Sequence, residues 1–172
     1  MELAIPLESI SIRSLTKKDF EVLFDESGRH FATTWLERQM RGEVYLATIE
    51  VDHQAVGRAG LDFTHQPDYA WLWAAYIRPM WRSKGIGSYL LAHIEEITRI
   101  AGYDQLHLGV AKDNARAQEL YKRLGWSTYA GGVSRWSYPE NGKIVRESEE
   151  IWLMIKDLEQ ENGKRPEDEP SR

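Results

Sequence analysis

Residues 76–91 read "YIRPMWRSKGIGSYLL", an aromatic and apolar run, a proline, basic residues, two glycines one residue apart, and then apolar residues at helical spacing. A strand that enters and a helix that leaves account for the change of period. Pro79 ends the strand, and Gly85 and Gly87 stand where the helix opens. The first N–H groups of a helix have no intrahelical partner and lie at the positive end of its dipole. Glycines there let an anion approach the backbone closely. A turn that serves only packing would use the same glycines. Two common phosphate motifs do not fit: "GIGSYL" lacks the third glycine of a dinucleotide fingerprint, and "RSKGIGS" lacks the spacing of a P-loop.

Outward from this turn, the spacing of Ile86, Leu90, Ile94, Ile97 and Ala101 predicts a helix from Gly85 to about Gly102. Upstream, "SISIRSLT" alternates as a strand and "TKKDFEVLFDE" begins a helix, with Thr16 or Lys17 at the switch. "FATTWLERQMRG" predicts a second short helix with Phe31, Trp35 and Met40 on one face. "EVYLATIEV" and "AVGRAGLDF" read as strands joined at "DHQ", and "YAWLWAAYI" as a third. Downstream, "QLHLGVA" predicts a strand with Leu106, Leu108 and Val110 on one face. "KDNARAQELYKRLG" predicts a helix capped at Asp113 or Asn114 and stopped at Gly125. "WSTYAGGVSRWSY" and "IVRESEEIWLMIKDL" flank an Asn-Gly pair suited to a hairpin turn.

The 172 residues fit one domain, taken as 1–158, followed by a charged tail over 159–172 with too little apolar surface to order itself. Six acidic and three basic residues lie from Asp157 onward, so the net charge of −5 leaves the folded part near balance. That charge argues against nucleic acid as a partner. No apolar run approaches the roughly 20 residues that cross a bilayer, and the first residues lack the pattern of a secretory signal. No membrane association and a cytoplasmic location are therefore expected. The absence of cysteine removes disulfides, thiolate metal sites and a cysteine-linked intermediate. His30, His53 and His93 are scattered without ligand spacing, so no metal is expected.

"IRPMWRSKGIGSYL", residues 77–90, resembles the coenzyme-A motif of the GNAT superfamily of N-acetyltransferases, with an apolar residue two before proline and then Arg-x-x-Gly-x-Gly. "LHLGVAKDNARAQELYKRLGW" resembles that family's second motif, with Asn114, Ala117, Tyr121 and "LGW" in step. The resemblance covers about residues 9–157. It implies an α/β (α+β) fold: a mixed, mostly antiparallel sheet of six to seven strands flanked by about four helices, with two central strands splayed around the coenzyme.

It also implies acetyl-CoA as cosubstrate. Backbone N–H groups from Arg82 through Ser83, Lys84, Gly85, Ile86 and Gly87 to Ser88 would hold its pyrophosphate, with the Ser88 hydroxyl and the charges of Arg82 and Lys84 assisting. Both basic residues also fit a plain solvated loop. The strand ending at Ile77 would pair with the pantetheine arm, and Asn114 would hydrogen-bond that arm, beside its equally physical role as a helix cap. Tyr121 would protonate the leaving thiolate, although its neighbours Leu120 and Leu124 suit a core position. A neutral amine would attack the thioester directly, with a backbone N–H near Ile77 holding the oxyanion.

The general base is where the chain departs from the family. Gly109 and Trp71 stand where some members carry glutamate, which leaves Glu37, Asp62, His65, Asp68, His107 or a water chain. The seven tryptophans include Trp35, Trp71, Trp73 and Trp81 in segments that the resemblance puts near the acceptor, where an aromatic wall would favour a cationic amine; tryptophans on strands are also ordinary core residues. A small-molecule amine is the first acceptor expected, a protein N-terminus or lysine the second, and a CoA-binding module without catalysis the third reading. The last hairpin offers an edge strand through which a homodimer could form.

Overall fold

The computed structural model describes residues 4–158, so the segment read as a charged tail lies outside the described residues. Seven strands, β1 (Ile10–Ser14), β2 (Val44–Val51), β3 (Gln54–Asp62), β4 (Ala70–Ile77), β5 (Gln105–Ala111), β6 (Ser127–Glu140) and β7 (Lys143–Asp157), form one sheet in the order β1-β2-β3-β4-β5-β7-β6. Only β4 and β5 run parallel; every other neighbouring pair is antiparallel. This is the mixed, mostly antiparallel sheet of six to seven strands that the family resemblance implies. Five helices flank it: α1 (Lys17–Leu23), α2 (Glu26–Arg29), α3 (Ala32–Met40), α4 (Ile86–Ile100) and α5 (Ala115–Arg123).

The tight turns follow from local chemistry. Asp52 and His53, and then Asn141 and Gly142, take positive φ at the two hairpin corners, as two-residue turns require. Thr16 and Asp19 form a capping box at α1. Two expectations are corrected. The helix expected to run on from Lys17 breaks at Phe24, which is extended, because the Asp25 side chain caps a new helix by accepting from Gly28 N–H at 2.8 Å. Met40 is 80% exposed rather than on the packed face, since it is the last residue of α3.

The two faces of the sheet are covered separately. On one, Leu61, Leu72, Leu90, Ile94, Leu106 and Leu108 form the larger core under α4 and α5. On the other, Leu15, Phe20, Leu23, Phe24, Val44 and Leu46 pack with Trp35 and Trp73 beneath α1 and α3. Each such aliphatic side chain contributes about 1.5–3 kcal/mol on burial.

The β4–β5 ladder is short. It pairs Ala70 with Leu106, Trp71 with His107 and Leu72 with Leu108, and stops. On the other edge of β4, Trp73 pairs with Gly60 and Tyr76 with Arg58, so Ala59 alone faces both Ala74 and Ala75. This is a β-bulge, and Ala74 has φ of +53°. For a residue with a Cβ that conformation costs about 1–2 kcal/mol. Beyond it β4 and β5 diverge, which places a wedge between them at the centre of the sheet.

Candidate active site

The wedge opens into a cleft of about 460 Å³ bounded by the end of β4, the start of α4 and the exposed side of α5. Its walls include Ala75, Tyr76 and Ile77 from β4, Ser83, Gly85, Gly87 and Ser88 from the turn, and Asn114, Leu120 and Tyr121 from α5. That size is ordinary for a small-molecule site.

Gly85 is the residue before α4 and has φ of +83°, so a side chain there would be strained. The first bond of the helical ladder runs from Tyr89 N–H to Gly85 C=O at 3.0 Å, and no side chain caps the turn. The N–H groups of Ile86, Gly87 and Ser88 therefore precede the ladder at the positive end of the dipole. A Cβ on Gly87 would stand 3.7 Å from Ile77 Cγ1 and from Leu120 Cδ2, both at the cleft wall. The chain itself tolerates that atom; what glycine leaves open is space in the cleft.

Of the residues picked out in the sequence, Ile77, Arg82, Ser83, Gly85, Gly87, Ser88, Asn114 and Tyr121 line this one cleft. Lys84 and Ile86 differ. The Lys84 ammonium lies 4.8 Å from the centre of the Trp81 ring, and the Ile86 side chain is fully buried in the core, so only the backbone of Ile86 can face a ligand. Arg82 Nε donates to the Ile77 carbonyl at 2.8 Å, tying the turn to the end of β4. Asn114 Oδ1 accepts from Ala117 N–H at 3.1 Å, and so acts as the cap of α5 while lining the cleft.

Arg116 is a cleft residue that the sequence reading missed. It donates to the Ser83 hydroxyl at 3.0 Å, and with Arg82 and Arg123 it lines a cleft whose one carboxylate is Glu119. The cleft mouth is thus positive. A signal was present in the sequence: a cation in the first turn of a helix opposes the dipole and needs a reason outside the helix.

Tyr121 is 8% exposed, and burial pushes its phenol up to about 12. It is therefore protonated throughout the neutral range, with its ring set edge-on against Trp126. A protonated phenol on the wall of a cleft can donate a proton.

The five candidate bases are dispersed. Asp62 is bound by Arg38, by Thr64 N–H and by the Thr64 hydroxyl; burial acts to raise its pKa, but these bonds outweigh burial and hold it below the usual range. His65 packs its ring on Trp71. His107 is buried, stacked on Tyr69 with ring centres 3.7 Å apart, and its Nδ1 lies 3.2 Å from the Tyr129 hydroxyl; burial lowers its pKa. Glu37 lies on α3 and Asp68 in the loop before β4. None of the five lines the cleft.

The tryptophans do not form one wall. Trp35 and Trp73 meet edge to face at 4.4 Å within the smaller core, Trp71 lies across Gly109, and Trp81 carries Lys84. On the same face as Trp73, the Arg58 guanidinium lies 3.8 Å from the centre of the Phe24 ring and 5.0 Å from that of Tyr76. Burial pulls its pKa down to about 10, which leaves it a cation at neutral pH. Among the described residues no group of three or more His, Asp or Glu side chains is placed to hold a metal, and no helix is long and apolar enough to cross a membrane.

Comparison with known proteins places this geometry. A segment of 72 residues is 42% identical to the thialysine N-epsilon-acetyltransferase of Bos taurus, covering 42% of this chain and 42% of that protein, so the chain matches less than half of that relative's length. A longer match, 24% identical over 139 residues, covers 77% of this chain and 89% of the putative [ribosomal protein bS18]-alanine N-acetyltransferase of Bacillus subtilis. The structure of a GNAT family acetyltransferase from Elizabethkingia anophelis with acetyl-CoA bound superposes with a TM-score of 0.62 at 17% identity, over 88% of this chain and 99% of that one. The family model described as "Acetyltransferase (GNAT) family" matches residues 10–126, the stretch that runs from β1 through the glycine turn and α5 to Trp126. With its motifs and its splayed sheet in agreement with that match, the chain belongs to the GNAT family of acetyltransferases.

Proposed function

We propose that the protein transfers the acetyl group of acetyl-CoA directly to a primary amine, and that the acceptor is a small molecule. The observation that carries this reading is the convergence of the Gly85–Ser88 turn, the end of β4, Asn114 and Tyr121 on one cleft. In this reading the pyrophosphate sits on the N–H groups of Ile86, Gly87 and Ser88, with Arg82 and Arg116 adding charge at the mouth. The pantetheine arm runs along β4, whose residues beyond Leu72 have no partner in β5. The thioester lies between Ile77 and Tyr121. A neutral amine attacks the carbonyl carbon, a backbone N–H of β4 stabilises the oxyanion, and Tyr121 protonates the departing thiolate. None of the five candidate bases lines the cleft, whose one carboxylate is Glu119 among the arginines, and in this reading the amine loses its proton through water.

A protein N-terminus is the second acceptor class, favoured by the long match to the bS18-alanine enzyme. Calorimetry with acetyl-CoA, followed by a free-CoA assay over amines and N-terminal peptides, tests both. Binding with turnover of small amines is expected. Turnover confined to peptides rules out the first acceptor class, binding without turnover leaves a CoA-binding module, and no binding removes the coenzyme assignment.

A further inference from the structure

Ala74 holds a backbone conformation that alanine disfavours, in the strand whose shape opens the cleft. Such a conformation persists only where its surroundings impose it. One contact does so directly: the Arg58 guanidinium donates from Nη1 to the Ala74 carbonyl at 3.2 Å.

The setting of Arg58 is otherwise unusual for a cation. It makes no ion pair among the described residues, its Nε is buried without a hydrogen-bond partner, and its flat head lies between Phe24 at the end of α1 and Tyr76 on β4. The Arg58 head lies over two rings while one of its donors reaches one carbonyl, so packing and hydrogen bond hold it together. We propose that Arg58 is a positioning residue: from between Phe24 and Tyr76 it pins the Ala74 carbonyl, holds the bulge that turns β4 away from β5, and so shapes the cleft for coenzyme.

The consequence for the cleft follows from strand geometry. Side chains alternate with a period of two, so the extra residue at the bulge decides which way Ala75, Tyr76 and Ile77 face. These three form the β4 wall of the cleft. If the bulge relaxed into a regular strand, that wall would present the opposite set of groups. Arg58 lies outside the cleft, on the far side of β4, and acts only through the backbone of Ala74.

The inference rests on the assignment of the cleft to coenzyme, and calorimetry with CoA separates the two. Wild-type protein that fails to bind CoA overturns that assignment. If it binds, Arg58→Met, which keeps the stem but loses the donor, is expected to weaken CoA roughly tenfold to a hundredfold while the melting transition stays cooperative. Adding Ala74→Gly to Arg58→Met is expected to restore most of the affinity, because glycine takes positive φ without a Cβ penalty. A merely structural or purely electrostatic role of Arg58 gives no such rescue. Wild-type affinity in Arg58→Met, or a loss that Ala74→Gly leaves in place, overturns the proposal. If Arg58→Met does not fold, Arg58→Lys keeps the charge but loses the flat head between the rings, and the same two readings of its affinity apply.

Discussion

Ile151 Cδ1 lies 2.7 Å from where a Cβ on Gly109 would stand, and Trp71 Cζ2 lies 3.6 Å from the same point. A β7 side chain therefore crowds the first atom of any side chain, and a β4 indole borders it, at an exposed position where the family resemblance puts a glutamate in some members. Gly109→Ala needs only a rotation of the Ile151 end and is expected to cost about 1 kcal/mol, whereas Gly109→Glu needs that rotation and must also direct a longer side chain past the Trp71 edge into solvent, and should cost about 1–2 kcal/mol. Denaturant unfolding measures both. A fully stable Gly109→Glu with increased turnover would show that the site can accept a base there.

Tyr121→Phe removes the phenolic hydroxyl at the cleft wall and leaves the ring against Trp126. Turnover should fall about a hundredfold, with CoA affinity nearly unchanged. Single-turnover kinetics with calorimetry separates the two, and an unchanged rate removes Tyr121 as the proton donor.

The same phenol makes an alkaline prediction. Its folded value of about 12 exceeds the ordinary value of 10, so between these values the unfolded chain has lost the proton while the folded one keeps it. The stabilisation is complete below pH 10 and is lost as pH rises through 12. Tyr121→Phe should therefore show a flatter decline of melting temperature over that window than the wild type.

Arg116 couples α5 to the turn through Ser83. Arg116→Ala should weaken CoA about tenfold at low salt, with the difference shrinking as salt screens the mouth of the cleft. Calorimetry at two ionic strengths reads this, and an effect independent of salt would mean that Arg116 acts through packing.

Asp19 ties α1 to β1 by accepting from Arg13 at 2.7 and 2.9 Å and from Thr16 N–H at 2.7 Å. Burial acts to raise its pKa, but these bonds prevail and hold it below the usual range. Its stabilisation is present above the ordinary value near 4 and is lost as pH falls through the lower folded value. Asp19→Asn should cost about 1–3 kcal/mol at neutral pH and flatten the acid limb of the stability curve, both measured by denaturant unfolding.

Much of the fold was legible because its signals are local. The change of period at Gly85, the Asn-Gly corner of the last hairpin and the cap at Asn114 each depend on a few adjacent residues. The candidate site was legible to the same extent, since the glycine turn and the Asn114–Tyr121 helix each carry a compact pattern. Arg116 was missed because its meaning depends on Ser83, 33 residues earlier in the chain. An aromatic wall of four tryptophans was expected because the family resemblance puts their segments near the acceptor; which way each indole turns is decided by what packs on it, Trp35 against Trp73 and Trp71 across Gly109.

By itself, then, the sequence determined the order of the strands and longer helices, the turns and the two motifs that line the cleft, because backbone propensity, capping and periodicity act over a few residues. The opening between β4 and β5 belongs to the tertiary structure alone. Nothing in "WAAYI" marks a bulge, for alanine at Ala74 would choose the extended conformation if left to itself. Its positive φ exists because β3 fits one residue against two and Arg58, held between rings from α1 and β4, takes its carbonyl. Contacts among three separate elements impose that conformation, and only the assembled sheet brings them together.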